Sequence, residues 1–352
     1  MIKSFCIGNR NIGADYPCFI IAEAGVNHNG SLNLAKKLID VAVKAGADAV
    51  KFQTFKTEKL ILDNIEKAPY QKGTTYTTES QTEMLKKLEI DEGFHVALIK
   101  YCADRNIIFL STPYDEESLN LLMELGVPAI KIASTDTTNL LFFEHVAKKG
   151  KPVILSTGMC SLSEIEQAYK CLKENGCKEL ALLKCTSNYP TNLNELNLRA
   201  MITLKNCFDA VIGFSDHTEG ICTSPYAVAM GAKIIEKHFT LDKNMEGPDH
   251  KASLSPDELI LLVEEIRKVE QMLGSKEVFP TESEKETKKA LQKCLVSKVD
   301  FKKGDLITRK NIAAKRTGGR GIPALEFYKV LGLELKRNIP PNQPIYWSYF
   351  EE

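Results

Sequence analysis

The length, composition and charge of the chain exclude several classes of protein. Its 352 residues are 43% hydrophobic and 26% charged, which is typical of a globular protein and excludes disorder and collagen-like repeats. The 46 basic residues balance the 46 acidic residues. No overall positive charge therefore attracts nucleic acid or an anionic membrane, and any anion site has to be built locally. No run approaches the roughly 18 apolar residues that span a membrane.

The ten cysteines are scattered and include no CxxC pair. The first residues, MIKSFCIGNRN, lack the apolar stretch of a signal peptide. We therefore expect a cytoplasmic protein with reduced thiols, without structural zinc or disulfides, and with neither nucleic acid nor membrane as partner.

Short apolar runs alternate with amphipathic stretches along most of the chain. The eight runs are residues 18–23, 49–53, 107–111, 129–134, 152–156, 181–185, 210–215 and 233–238. They are rich in β-branched residues without strict alternation, as in parallel strands buried on both faces. This rhythm predicts an α/β fold with a (β/α)8 TIM barrel. A doubly wound open sheet is the alternative, but its GxGxxG fingerprint is absent.

Several features between the predicted strands have a structural interpretation. Ser161 with Glu164, and Ser255 with Glu258, have the spacing of capping boxes that begin helices. His95 and His145 lie in helical stretches, so we expect both on the surface. Residues 54–81 form a polar insertion after the second strand, and they are a candidate substrate lid.

The pattern changes after the predicted barrel. We expect the barrel to occupy residues 1–275, followed by a charged linker at 276–293. Residues 294–352 alternate short strands with turns, which predicts a small, mostly β domain. A domain of this size is marginally stable alone and usually docks on something.

The catalytic residues of barrels lie at the carboxyl ends of the strands. Read in chain order, those ends carry Glu23, Lys51, Gln53, Thr112, Lys131, Ser134, Asp136, Ser187, Tyr189, Ser215, His217, Glu236 and His238. Two further candidates lie elsewhere. Asp249 belongs to a GPDH segment whose simplest interpretation is a turn. Arg316 precedes a glycine-rich stretch, either a flexible basic loop or one that brings an arginine to the barrel mouth.

Lys51 and Lys131 lie inside apolar runs, where a lysine is costly unless it meets an anion. The pair indicates a pocket for phosphate or carboxylate. A Schiff-base lysine and a pair of rim lysines remain alternatives.

His217 and His238 end neighbouring strands, which are about 4.8 Å apart in a sheet. Both imidazoles could reach one cation, and nearby carboxylates favour an ion such as Mn²⁺ over structural zinc. Two histidines that only form hydrogen bonds at the rim are the alternative.

A set of motifs resembles one known family in order along the chain. The motifs are IAEAGVNHNGS (21–31), VKFQTF (50–55), FLSTP (109–113), ILSTGM (154–159), GFSDHT (213–218), IEKHFTLDKNMEGPDHKASL (235–254) and KRTGGRGI (315–322). The chain resembles the bacterial sialic acid synthases, which include N-acetylneuraminate, legionaminate and pseudaminate synthases. These enzymes carry a barrel and a C-terminal antifreeze-like (SAF) domain.

The resemblance implies a reaction and a set of roles. Phosphoenolpyruvate condenses with an open-chain N-acetylated hexose to give a nine-carbon 2-keto acid and phosphate, with C–O cleavage of phosphoenolpyruvate. The cofactor would be Mn²⁺, or another divalent cation such as Mg²⁺ or Co²⁺. Phosphoenolpyruvate would be bound by Lys51, Thr112, Lys131, Ser134, Ser187 and Ser215. The metal would be held by His217 and His238, and the sugar would be contacted by Tyr189, Glu236 and Asp249. Glu23 would be the acid/base, and Gln53 would orient metal-bound water. Arg316 would come from the partner in a domain-swapped homodimer.

The chain departs from the family pattern at two places. Asp136 stands where the family usually has glutamate, and Lys184 and Ser187 stand where the sixth strand often carries His-Cys-Thr before asparagine or threonine. The GPDHKASL segment resembles neuraminate and legionaminate synthases more than pseudaminate synthases.

The sequence leaves the sugar open. We expect N-acetylmannosamine as the hexose, with 2,4-diacetamido-2,4,6-trideoxymannose, the legionaminate precursor, as the alternative. Pseudaminate synthesis, condensation with a phosphorylated aldose, and a non-catalytic carbohydrate-binding protein are further alternatives.

Overall fold

The computed structural model describes residues 4–63, 65–67, 75 and 79–351. The chain divides into two compact units, Met1–Gly274 and Ser275–Glu352. In the described residues, no helix is long and apolar enough to cross a membrane.

Eight parallel strands form the centre of the first unit, as the sequence predicts. They are β3 (Phe19–Gly25), β4 (Ala49–Thr54), β5 (Ile108–Pro113), β6 (Ile130–Ile132), β7 (Val153–Ser156), β8 (Leu180–Cys185), β9 (Val211–Asp216) and β10 (Ile234–His238). Their order is β5-β4-β3-β10-β9-β8-β7-β6, and β5 and β6 lie against each other to close the ring. A short antiparallel hairpin, β1 (Ser4–Ile7) and β2 (Arg10–Gly13), precedes them. The predicted TIM-barrel fold is confirmed.

Helices follow the strands and cover the outside of the barrel. Those described in the first unit are α1 (Leu32–Ala45), α2 (Thr57–Leu60), α3 (Gln81–Lys86), α4 (Glu92–Asp104), α5 (Glu116–Glu124), α6 (Leu140–Ala147), α7 (Leu162–Glu174), α8 (Ala200–Cys207), α9 (Thr223–Ala229) and α10 (Pro256–Leu273). Both predicted capping boxes are present, at Ser161 with Glu164 and at Ser255 with Glu258. The barrel strands are almost wholly buried, because helices pack on one face and side chains fill the interior on the other.

The second unit has a small core of its own. Strands β11 (Lys293–Ser297) and β12 (Ile312–Arg316) pair antiparallel, and a short helix, α12 (Phe327–Val330), follows. Leu295, Phe301 and Leu335 are among the residues buried in this core. Segment 276–293, which we predicted to be a linker, belongs to this unit and contains helix α11 (Glu282–Leu291).

The expectation for His95 is wrong, and the candidate lid can be assessed only in part. His95 is fully buried rather than on the surface. Its Nδ1 donates to the Asp91 carbonyl at 2.7 Å, which leaves Nε2 to accept from the Thr54 hydroxyl at 2.8 Å. The candidate lid at 54–81 lies partly outside the described residues, because 64, 68–74 and 76–78 are not described.

The capping box at the start of α10 gives a test of how much this helix end stabilises the barrel. The Ser255 hydroxyl accepts from the Glu258 amide at 3.3 Å, and the Glu258 carboxylate accepts from the Ser255 amide at 2.7 Å. We expect Ser255→Ala to destabilise the barrel by about 1 kcal/mol because it leaves a helix amide unsatisfied. Thermal unfolding followed by circular dichroism measures this change. Ser255→Asp retains the cap and should unfold near the wild-type temperature; equal losses in both variants would contradict the assignment.

Candidate active site

A cavity of about 790 Å³ opens at the carboxyl ends of the barrel strands. Predicted site residues that line it are Glu23, Lys51, Gln53, Thr112, Lys131, Ser134, Ser187, Tyr189, Ser215, His217, Glu236, His238 and Asp249. They come together because parallel strands of a barrel end at one face. The cavity therefore collects polar groups from strands that are far apart in the sequence.

Lys51 is held between two carboxylates at the bottom of the cavity. Its Nζ lies 2.7 Å from Glu23 Oε2 and 3.6 Å from Glu236 Oε2. It also donates to the Thr112 hydroxyl at 2.9 Å. Glu23 accepts a further hydrogen bond from Gln53 Nε2 at 3.2 Å. The register explains the contact between Lys51 and Glu23, because these two residues lie opposite each other on the paired strands β4 and β3.

Glu236 connects Lys51 to the second buried lysine. Its Oε1 lies 3.5 Å from Lys131 Nζ and accepts from the Ser215 hydroxyl at 3.0 Å. Lys131 donates to the Ser156 hydroxyl at 2.7 Å and to the Ile132 carbonyl at 2.8 Å. Glu23, Lys51, Glu236 and Lys131 thus form one buried group of alternating charge, which we call the charge group.

The two carboxylates of the charge group differ in acidity. Burial raises the pKa of Glu23 to about 7, although Lys51 opposes the shift. Burial acts on Glu236 in the same direction, but the charges of Lys131 and Lys51 outweigh it and lower the pKa of Glu236 to about 2. Glu236 is therefore ionised at neutral pH, whereas Glu23 can gain or lose a proton there.

The two histidines lie side by side at one wall of the cavity. Their ring centroids are 5.7 Å apart, and the Tyr189 ring lies 4.1 Å from that of His217. His217 Nδ1 donates to the Thr186 carbonyl at 2.9 Å, so Nε2 carries the lone pair when the ring is neutral. His238 Nδ1 is buried without a hydrogen-bond partner and lies 4.0 Å from Asp249 Oδ2.

These histidines fit a divalent cation by their chemistry. A ligating imidazole needs one unprotonated nitrogen, and a carbonyl bond on the other nitrogen usually orients it, as at His217. Burial lowers the pKa of His238 well below its ordinary value, which keeps this ring neutral. In the described part of the chain, no group of three or more His, Cys, Asp or Glu residues is placed to hold a metal.

A second part of the cavity is built from small polar groups. The Gly158 amide donates to the Ser134 hydroxyl at 2.9 Å. A Cβ added to Gly158 would lie 2.3 Å from the Ser187 hydroxyl oxygen and 2.9 Å from that of Ser134. The absence of a side chain at Gly158 therefore allows the two serines to approach the backbone, and both line the cavity.

Two predicted site residues do not line the cavity. Asp136 is buried beside it in a 3-10 turn, where Oδ1 accepts from Asn139 at 3.0 Å. Burial raises the pKa of Asp136. Arg316 is exposed on β12 in the second unit, so its role stays a prediction.

Sequence reasoning missed several residues of the cavity. Ser156 and Cys185 line it, and Cys185 Sγ lies 3.7 Å from His217 Nδ1. One wall is apolar, and it consists of Val26, Phe55, Leu60, Met84, Leu85 and Leu88. We call these six residues the apolar wall. Ser156 and Cys185 could have been found as strand-end residues, but nothing in the sequence indicates that residues 84–88 reach the strand-end cavity.

Comparisons with known proteins agree with this geometry. The NeuB family model matches residues 38–278, and the SAF domain model matches residues 292–351. The chain is 49% identical over 328 residues to the N,N'-diacetyllegionaminic acid synthase of Campylobacter jejuni, covering 93% of this chain and 98% of that protein. It is 38% identical over 343 residues to human N-acetylneuraminate-9-phosphate synthase, covering 96% and 93%.

A solved structure shares the fold and much of the sequence. The N-acetylneuraminic acid synthetase of Leptospira borgpetersenii, crystallised with citrate, matches with a TM-score of 0.73 and 40% identity, covering 81% of this chain and 95% of that one. The order of motifs, the barrel with its strand-end cavity and these matches agree. The chain belongs to the NeuB family of sialic-acid-type synthases and carries a C-terminal SAF domain.

Proposed function

We propose that the protein condenses phosphoenolpyruvate with 2,4-diacetamido-2,4,6-trideoxymannose, giving a legionaminate-type nine-carbon 2-keto acid and phosphate. The observation that carries this choice of sugar is the apolar wall, which lines the same cavity as the buried lysines. The names of relatives in Campylobacter jejuni and Legionella pneumophila, both N,N'-diacetyllegionaminic acid synthases, point in the same direction.

The buried lysines supply the site for phosphoenolpyruvate. Lys51 and Lys131 are each almost fully buried, and desolvated ammonium groups bind phosphate and carboxylate strongly. The buried carboxylate of Glu236 is shared between them. The hydroxyls of Ser134, Ser187 and Ser215 would complete the contacts to the anion.

His217 and His238 would hold the divalent cation, for which we propose Mn²⁺. When bound, the cation supplies a Lewis acid for the sugar aldehyde. Two imidazoles leave coordination positions for sugar and water, and Gln53 is placed beside Glu23 to orient a water molecule.

The charge group accounts for the remaining steps. C3 of phosphoenolpyruvate forms a bond to the sugar aldehyde carbon, which leaves positive charge at C2. Ionised Glu23 stabilises that charge and takes a proton from the water that adds there. The proton that Glu23 takes passes to the alkoxide formed from the aldehyde oxygen. The new C2 hydroxyl then becomes the ketone as the bond between C2 and the bridging oxygen breaks, and its proton leaves with phosphate beside Lys51 and Lys131.

The apolar wall distinguishes the candidate sugars. Transfer of a C6 methyl group from water to the apolar wall is favourable by about 0.8 kcal/mol in binding free energy. A C6 hydroxyl buried there without a partner would cost roughly 1–3 kcal/mol. N-acetylmannosamine, the sugar expected from the sequence, stays a prediction that the comparison of sugars below tests. A homodimer in which Arg316 comes from the partner is part of the same proposal.

The first prediction concerns cofactor and substrate dependence. We expect phosphate release from phosphoenolpyruvate only when Mn²⁺ and the N-acetylated sugar are both present, measured by a coupled phosphate assay. His217→Ala should lower kcat by more than about 100-fold because it removes a metal ligand. His145→Ala, on helix α6 and outside the cavity lining, should change it by less than about 2-fold. Rapid turnover without a divalent cation would contradict the proposal.

The second prediction concerns the sugar. We expect kcat/KM for 2,4-diacetamido-2,4,6-trideoxymannose to exceed that for N-acetylmannosamine by at least about 10-fold. Leu60→Asn should reduce this ratio, because it places an amide in the apolar wall. Leu62→Asn is the matched control, since Leu62 is 79% exposed and does not line the cavity. A ratio that favours N-acetylmannosamine in the wild type would support the other sugar.

The third prediction concerns pH. The pKa of Glu23 is raised from 4.5 to about 7, so the ionised form that the mechanism needs accumulates only as the pH rises through about 7. We therefore expect kcat/KM for phosphoenolpyruvate to rise over this range and Glu23→Gln to abolish the rise. Cys185 provides the control, because a protonated His217 beside it outweighs burial and lowers the pKa of its thiol to about 7 as well. The Cys185→Ser variant should keep the rise in kcat/KM with pH. If this variant loses the rise, the titrating group is the Cys185 thiol and not Glu23.

A further inference from the structure

A buried ion pair lies directly behind the two histidines. Asp216 immediately precedes His217, and Lys237 immediately precedes His238. The register of β9 and β10 places Lys237 opposite Asp216. Lys237 Nζ lies 3.0 Å from Asp216 Oδ2, and the two side chains are 2% and 0% exposed. Neither residue lines the cavity, so the pair is available to support the histidines and not to contact substrate.

The Asp216 carboxylate fixes the turn that contains His217. Its Oδ1 accepts from the Thr218 amide at 2.9 Å and from the Thr218 hydroxyl at 2.7 Å. Its Oδ2 accepts from the Ser224 hydroxyl on helix α9 at 2.7 Å. Asp216 and Thr218, on the two sides of His217, are therefore hydrogen-bonded to each other. Through Ser224 they are also hydrogen-bonded to helix α9.

Lys237 connects this turn to the strand that carries His238. Besides Asp216, its Nζ donates to the Thr218 carbonyl at 2.7 Å. One side chain beside His238 thus contacts both neighbours of His217. Successive residues of a strand point to opposite faces, so Lys237 makes these contacts on the outer face while His238 lines the cavity.

Stability alone does not explain this arrangement. A buried ion pair is often no more stabilising than apolar side chains of similar volume, because both charges lose their hydration. What the pair adds is a fixed geometry, since its hydrogen bonds have defined directions. Metal ligands need such support, because a shift of about 0.5 Å in a donor atom already weakens a site.

We propose that Asp216 and Lys237 are positioning residues that hold His217 and His238 at the separation needed to bind one divalent cation. The inference rests on the proposed function, in which the two histidines hold Mn²⁺. It assigns the geometry of the metal site to residues that line no part of the cavity.

The test is the affinity of the metal-free, full-length protein for Mn²⁺, measured by isothermal titration calorimetry. The double variant Asp216→Asn/Lys237→Met removes both charges and leaves neither one buried alone. We expect its Kd for Mn²⁺ to rise by about 10- to 100-fold. Activity should recover when the Mn²⁺ concentration is raised by a similar factor, which a general loss of folding would not allow.

Two further variants keep the test decisive. Ser224→Ala removes one hydrogen bond to Asp216 and replaces the double variant in the test if that variant does not fold. We expect it to raise the Kd for Mn²⁺, but by a smaller factor than removal of both charges. Asp48→Asn removes a carboxylate at the opposite end of the barrel, where Asp48 contacts Arg10 and Arg267. It should lower the unfolding temperature without changing the Kd for Mn²⁺.

The outcomes separate this inference from the proposed function. A wild type that binds Mn²⁺, with variants that are folded and bind it equally well, would overturn the positioning role alone. A wild type that binds no divalent cation and still turns over its substrates would overturn both.

Discussion

Burial of Lys51 and Lys131 inside the barrel is tolerable only because Glu23 and Glu236 lie beside them. Moving an isolated ammonium group out of water is expensive, and the carboxylates offset that cost at distances of 2.7–3.6 Å. Glu236, ionised and shared by both lysines, balances one of their two charges, and Glu23 balances the other only in its ionised form. The site therefore keeps an affinity for a small anion in a protein without net charge, and Glu23 remains able to exchange a proton near neutral pH.

The barrel separates three kinds of chemistry around one cavity. The charge group, the two histidines and the apolar wall all line it. The charge group and the histidines share strand β10, which carries both Glu236 and His238. Most of the apolar wall lies after the strands, on or beside helices α2 and α3. Relatives of this family bear the names of different sugar-acid synthases, for N,N'-diacetyllegionaminic acid and for N-acetylneuraminate 9-phosphate.

The sequence predicts the barrel and most of the cavity for a simple physical reason. Parallel strands buried on both faces are visible as apolar runs, and their carboxyl ends must meet. It does not predict that Glu236 is shared by two lysines, because this depends on side-chain packing across three strands. The sequence also does not predict the burial of His95, because its Nε2 accepts a hydrogen bond from the hydroxyl of Thr54, which lies on strand β4 and not on the helix of His95. The apolar wall includes Met84, which follows a long insertion, so its position depends on tertiary packing.

The most direct test of the charge group is the affinity of the enzyme for phosphoenolpyruvate with Mn²⁺ present and sugar absent. Titration calorimetry would compare the wild type with Lys131→Met, which keeps the length of the side chain and removes its charge. The account predicts that the variant keeps its fold and that its Kd rises by at least about 10-fold, since a desolvated charge-assisted contact is lost. Equal affinities in the two folded proteins would contradict it.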